Sequence, residues 1–143
     1  MSIMITQPLI DESRQEILDG IKHLEYSYNK VLKLSADMST LSSEDLETWE
    51  GLISRFGRVA DIYLSKYLRA KILFADPAFR GTFRDHLNQA EKMSLISSAE
   101  KWMEIRELRN TSVHEYSKSK IPKIFESVRV NTPLLIQLKN QLK

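Results

Sequence analysis

Apolar residues recur at three- and four-residue spacing over almost the whole chain. Ile10, Ile17, Ile21, Leu24, Tyr28, Val31 and Leu32 trace one stripe, and it predicts a first helix from about Leu9 to Ala36. Asp11 and Glu12 fall in its first turn, where the macrodipole favours acids. Gly20 weakens its middle, and His23 reads as a surface or packing residue. Met38 to Ser43 is a loop ending in N-cap residues. A second helix follows from Glu44 to about Phe74, closed by Asp76-Pro77. It has two apolar faces. Leu52, Phe56, Val59, Tyr63, Tyr67 and Ala70 form one, and Leu46, Trp49, Ile53, Ala60, Leu64 and Leu68 the other. Such a helix needs two packing partners, the rest of the bundle or a second protomer. Gly57, between Ile53 and Ala60, lets another helix come close.

A third, weaker pattern predicts a helix from about Ala78 to Met93, with Phe79, Phe83, Leu87 and Ala90 on one side and His86 off the stripe in solvent. Ser97-Ser98 offers an N-cap to a fourth helix, along which Ala99, Trp102, Ile105, Arg109 and Val113 make one line. After the loop Ser117 to Lys120, Pro122 suits the first turn of a fifth helix running toward Leu142. Ile124, Val128, Leu134, Leu135, Leu138 and Leu142 form its apolar line, and Pro133 predicts a kink or break within it. The pattern as a whole predicts an all-α fold, an antiparallel bundle of four to five helices, with residues 1–143 as a single domain.

Composition sharpens this in a few places. The 143 residues include only 4 Gly and 4 Pro, against a turn-rich all-β fold, and no Cys, which excludes disulfides, thiolate metal sites and a cysteine nucleophile. No cofactor and no metal site are expected, because no carboxylate–histidine cluster has metal-ligand spacing. The N-terminus MSIMITQPLI lacks a basic n-region, and no apolar run approaches the roughly 20 residues that span a bilayer. A cytoplasmic protein without a membrane partner is the expectation. The net charge of +2 conceals an asymmetry: residues 1–50 hold 10 acidic and 4 basic side chains, residues 51–143 hold 9 acidic and 17 basic. The basic half would attract polyanions; a solvated face is the simpler account of an excess this modest.

One stretch gathers groups able to do chemistry: Arg109-Asn110-Thr111-Ser112-Val113-His114-Glu115-Tyr116. Arginine is a permanent cation suited to phosphate, and histidine is suited to proton transfer near neutral pH. At about 100° per residue, Arg109 and Tyr116 project about 20° apart, whereas Arg109 and His114 differ by about 140°. A straight helix does not aim both at one small ligand, so Arg109 wraps round, the helix loosens, or a second chain brings its own copy. Structural roles are open beside these. Arg109 can pair with Glu104 or Glu107, His114 can cap its own helix C-terminus, and Tyr116 can be a core residue. Asp61 suits an ion pair with Arg58 or Lys66.

The string RNTSVHEY resembles the signature of the HEPN superfamily: Arg109, the polar Asn110, three residues, then His114. With Tyr116 two residues on, it is similar to HepT toxins and to nucleotidyltransferase substrate-binding proteins. SAEKWMEIRELRNTSVHEY resembles the latter in the aromatic, Trp102, seven residues before Arg109. Arg55-Phe56 and Asp61 are a weaker match, where these families carry an arginine and an acid facing the motif.

The resemblance implies a HEPN-like helical domain that forms a two-fold dimer, with both copies of the motif lining a basic cleft. It implies a HepT-like toxin of a HEPN/MNT toxin–antitoxin pair, a metal-independent ribonuclease acting on RNA through Arg109 and His114, with Asn110 and Asp61 in support. Its partner would be an MntA-like nucleotidyltransferase antitoxin that adenylylates Tyr116. The alternative, which the same motif allows, is a non-catalytic substrate- or nucleotide-binding subunit of a two-component nucleotidyltransferase.

Overall fold

The computed structural model of the chain describes residues 4–114 and 117–142, with His114 given by its backbone alone. Among the described residues the fold is all-helical. The elements are α1 (Gln7–Val31), a single 3-10 turn (Met38–Thr40), α2 (Ser43–Asp61), a π-helical segment (Ile62–Tyr67), α3 (Leu68–Ala75), α4 (Phe83–Lys92), α5 (Ala99–His114), α6 (Ile121–Ile136) and α7 (Leu138–Gln141). The second predicted helix is thus one rod of three parts, with a wide turn in its middle where Leu68 N–H bonds to the Tyr63 carbonyl.

That rod is the centre of the bundle. α1 runs antiparallel along one side of it, as the pairings of Trp49 with Ser35, Arg55 with Ser27 and Lys66 with Glu16 show. α5 and α6 cover the other side. Both apolar faces are therefore buried inside one chain: Leu52, Phe56, Val59 and Tyr63 on one, Trp49, Ala60, Leu64 and Leu68 on the other. The two-faced pattern needs no second protomer. Gly20 of α1 marks the closest approach of the first two helices, because a Cβ there would stand 3.0 Å from a Val59 methyl.

The helix ends differ from the sequence expectation for identifiable reasons. α1 begins at Gln7 with Pro8 in its first turn, so Asp11 and Glu12 lie in the second turn; Asp11 accepts from Gln7 and Arg14 instead. α1 stops at Val31 rather than Ala36 because Arg129 of α6 takes over its end. The Arg129 guanidinium donates to the carbonyls of Val31 (3.1 Å) and Leu34 (2.8 Å), pairs with Glu126, and lies 5.0 Å from the Trp49 ring centroid. Trp49 in turn stacks on Phe125 at 4.8 Å and 7°. The apolar line drawn for the fifth helix missed Phe125.

α4 begins at Phe83 rather than Ala78. Thr82 accepts from Asp85 N–H and Asp85 accepts from Thr82 N–H, a capping box that starts the helix there. Phe79 instead closes a turn onto the Asp76 carbonyl. His86 is half-buried, not solvated: its Nδ1 lies 2.9 Å from the Thr82 carbonyl and its ring meets Phe79 edge-on. α4 is closed past its C-cap, Met93, by Ser94, whose φ of 59° is left-handed and turns Leu95 N–H back to the Ala90 carbonyl. Pro133 does not break α6 at its own position. The helix continues through it to Ile136, and the break before α7 comes one turn later at Gln137.

The charge asymmetry is partly internal. The acidic first helix meets bases from later in the chain, Lys66 on Glu16 at 3.1 Å and Lys139 on Glu25 at 2.8 Å. Pairs this exposed contribute little each, but they leave fewer bases for a partner than the count suggests.

Candidate functional site

The second half of α5 is placed from its N-terminus. Ser98 accepts from Lys101 N–H, and Glu91 accepts from Ala99 N–H at 2.8 Å, so the first turn is fixed. Trp102 then packs on Tyr63 with ring centroids 4.8 Å apart, and Ile105 is fully buried. Burial of Tyr63 raises its phenol pKa well above the ordinary value, and the nearby Tyr67 adds to this, so Tyr63 stays neutral. One turn past Ile105 the helix leaves the core. Arg109 is half-buried, Asn110 is exposed, and Val113 is 44% exposed.

Arg109 does not pair with Glu104 or Glu107 on its own helix; Glu104 faces Lys101. Its side chain crosses to the central rod. Nε donates to both carboxylate oxygens of Asp61, at 3.1 and 3.0 Å, and Nη2 to one of them at 2.8 Å. The passage is open because residue 57 is glycine: a Cβ there would stand 3.1 Å from Cδ and from Nε of Arg109. Gly57 and Asp61, one turn apart, form a seat for the arginine. The sequence predicts another helix close to Gly57; what fills the space is the Arg109 side chain of α5.

The structure thus brings Arg109 and Asp61 together and replaces the expected partners of Asp61, since Lys66 goes to Glu16. It turns Arg55 away, with Nη1 donating to Ser27 Oγ at 2.8 Å and the His23 carbonyl at 3.1 Å on α1. Asn110 lies in solvent beyond the pair. His114 is the last residue of α5, and Tyr116 lies outside the described residues. With Asp61 on Nε and on one N–H of Nη2, Arg109 keeps its outer Nη1–Nη2 edge for a phosphate.

Sequence reasoning missed a cleft at the C-terminal end of the rod, which Arg69, Arg80 and His86 line with Phe74 and Phe79. The one signal for it was the run Asp76-Pro77, which marks a loop that the helical reading closed too early. Among the described residues no three His, Asp or Glu side chains gather to hold a metal, and no helix is long and apolar enough to cross a membrane.

An all-helical bundle with a late arginine seated on the central rod defines the class. The family of nucleotidyltransferase substrate binding protein-like chains matches residues 15–143, and the chain belongs to that family. No curated protein and no solved structure matches it.

Proposed function

We propose that the chain is a substrate-binding subunit of a two-component nucleotidyltransferase: a non-catalytic bundle that holds a nucleotide or another substrate for a separate catalytic chain. The observation that carries this reading is the family match over residues 15–143. The seating of Arg109 supports it. A catalytic arginine must meet charge developing on phosphorane oxygens, and this one is already bidentate to a carboxylate. Asp61 makes Arg109 part of the fold's scaffold.

A second reading is favoured by the spacing Arg109-Asn110…His114 alone. It is the metal-independent ribonuclease toxin of a HEPN/MNT pair. There the RNA 2′-hydroxyl attacks the adjacent phosphorus as His114 takes its proton, the bond to the 5′-oxygen breaks, and an acid protonates that oxygen. Arg109 would leave Asp61 or use its free edge. Asn110 would orient His114, and adenylylation of Tyr116 would add bulk and negative charge where the RNA phosphate binds. A two-fold dimer belongs to both readings through the geometry of α5.

One experiment separates them. The chain is expressed with and without its cognate nucleotidyltransferase, scoring growth, intact tRNA and mRNA, and nucleotidyl transfer by the purified proteins. Transfer that needs both chains, with RNA intact, is the expected result. RNA cleavage that persists in EDTA and disappears in His114→Ala would overturn it. In that case AMP on the peptide holding Tyr116 is the further expectation.

A further inference from the structure

Asp61 offsets the charge of Arg109 and occupies one edge of its guanidinium. Other cations lie at the C-terminal end of the same rod, from about two turns past Asp61. A cleft of about 660 Å³ opens between α3, the loop 76–82, the start of α4 and the segment before α1. That size suits a small organic ligand. Arg69, Arg80 and His86 line it with Leu73, Phe74 and Phe79, and no acidic side chain is among its lining residues.

The two guanidinium groups and the imidazole are placed but not used up. Arg80 is folded over the loop, with Nη1 donating to the carbonyls of Phe79 at 2.8 Å and Pro77 at 3.2 Å. Its other N–H groups have no partner among the described residues. Arg69 is exposed and has no ion-pair partner among the described residues. His86 must carry a proton on Nδ1, because the Thr82 carbonyl 2.9 Å away can only accept; its Nε2 is left for a ligand. The acids nearest in sequence stand at its edge, and each accepts a backbone hydrogen bond: Asp76 from Ala78 N–H and Asp85 from Thr82 N–H. The apolar side of the cleft is aromatic. Phe74 is 50% exposed, and Phe79 is braced edge-on by His86 at 5.0 Å. Cations beside open aromatic faces complement one ligand chemistry well, an anionic phosphate joined to a flat heterocycle.

We infer that this cleft binds a nucleotide, with Arg69 and Arg80 on the phosphate oxygens and Phe74 and Phe79 against the base. The inference rests on the substrate-binding reading and adds the place and the ligand class. It also puts the ligand away from the Arg109 end of α5.

The test is an NMR titration of the full chain with AMP, adenosine and inorganic phosphate in turn. AMP should shift amides of residues 69–74 and 80–86, and should bind more tightly than adenosine or phosphate. Arg69→Ala should weaken AMP by about tenfold, the loss of one charge-assisted contact, and Phe74→Ala by about tenfold through lost stacking. Both side chains are exposed, so these variants keep their fold. Shifts confined to residues 105–113, or unchanged AMP affinity in both variants, overturn the cleft and leave the substrate-binding reading standing. Equal binding of phosphate and AMP overturns the nucleotide assignment. RNA cleavage with AMP still in the cleft removes the reading and keeps the site. No nucleotide bound by the chain, alone or with its nucleotidyltransferase, overturns the nucleotide site and leaves the substrate-binding reading to the transfer assay.

Discussion

Arg109 crosses the central rod over Gly57 and is held there by Asp61, with Nη2 2.8 Å from a carboxylate oxygen. Anything larger than hydrogen at residue 57 must push the arginine while Asp61 pulls it back. A double-mutant cycle of Arg109→Ala and Asp61→Ala should give a coupling of about 0.5–1 kcal/mol, because the two side chains are 26% and 50% exposed. The coupling should shrink in high salt. Repeating the cycle in a Gly57→Ala background should remove most of it. The added helix propensity of alanine, about 1 kcal/mol, offsets the loss, so thermal melts of Gly57→Ala alone should sit close to wild type. Full coupling in that background would mean the arginine reaches Asp61 by another path.

A second prediction concerns the start of α4. Asp85 caps Thr82, and these hydrogen bonds, the backbone one first, hold its carboxyl below the ordinary value of 3.8, with a smaller contribution from His86. A depressed carboxylate contributes stability above its unfolded pKa and loses it as pH falls through the folded one. Wild type should therefore melt above Asp85→Asn at pH 7, and the gap should close below about pH 4. A Cβ at Gly81 would lie 2.6 Å from Asp85 Cβ. Gly81→Ala should lower the melting temperature in wild type and much less in an Asp85→Gly background, which removes that Cβ as well as the carboxylate. Equal loss in both backgrounds would exclude the cap as the cause.

Arg129 joins α6 to the end of α1, to Glu126 and to Trp49 at once. Arg129→Ala should cost about 1–3 kcal/mol, the range for hydrogen bonds from a charged group. Arg129→Lys should recover little of it, because a point charge cannot serve two carbonyls and a ring from one position. Phe125→Ala, which removes the stacked partner of Trp49, should cost about 3–5 kcal/mol. Chemical denaturation checks all three, and full rescue by lysine would show that charge alone matters.

Assembly is the fourth. The central rod is covered within one chain, so a two-fold dimer must use another surface. Val113, 44% exposed and one turn past Arg109, is where α5 presents an apolar side chain beside the motif. Light scattering at micromolar concentration should show a dimer that Val113→Asp weakens without loss of helicity. Monomer alone in the wild type would remove the shared-cleft arrangement.

Local signals were legible along this chain. Ser98 as a cap, Pro122 in a first turn, and the apolar stripes of α1 and α5 all follow from short-range rules, and the all-helical architecture follows from them. Long-range pairings were not. The sequence suggests Glu104 or Glu107 on its own helix as partners for Arg109, while the carboxylate it takes lies 48 residues away. The same limit hid the Arg129 cap on α1. The π turn was illegible for a different reason: Ile62 to Tyr67 contains neither Gly nor Pro, so only packing across Tyr63, Leu64 and Tyr67 distinguishes it. At the candidate site, Arg109 and its helix were readable. The Arg69 cleft was not, because its loop had been assigned to α4.

The Arg129 bond to Val31 spans 98 residues, and that separation bears on how the chain is made. Helix α1 leaves the ribosome before the rod that covers Ile10, Ile17, Ile21 and Leu24, and well before α6. At about 5–20 residues per second its terminal carbonyls wait roughly 5–20 s for the arginine that closes them. Through that interval the nascent chain can pair α1 with the rod, but it leaves the end of α1 and the α6 side of the rod uncovered. A truncation ending before residue 129 should hold it permanently in that state, prone to capture by chaperones and to aggregation.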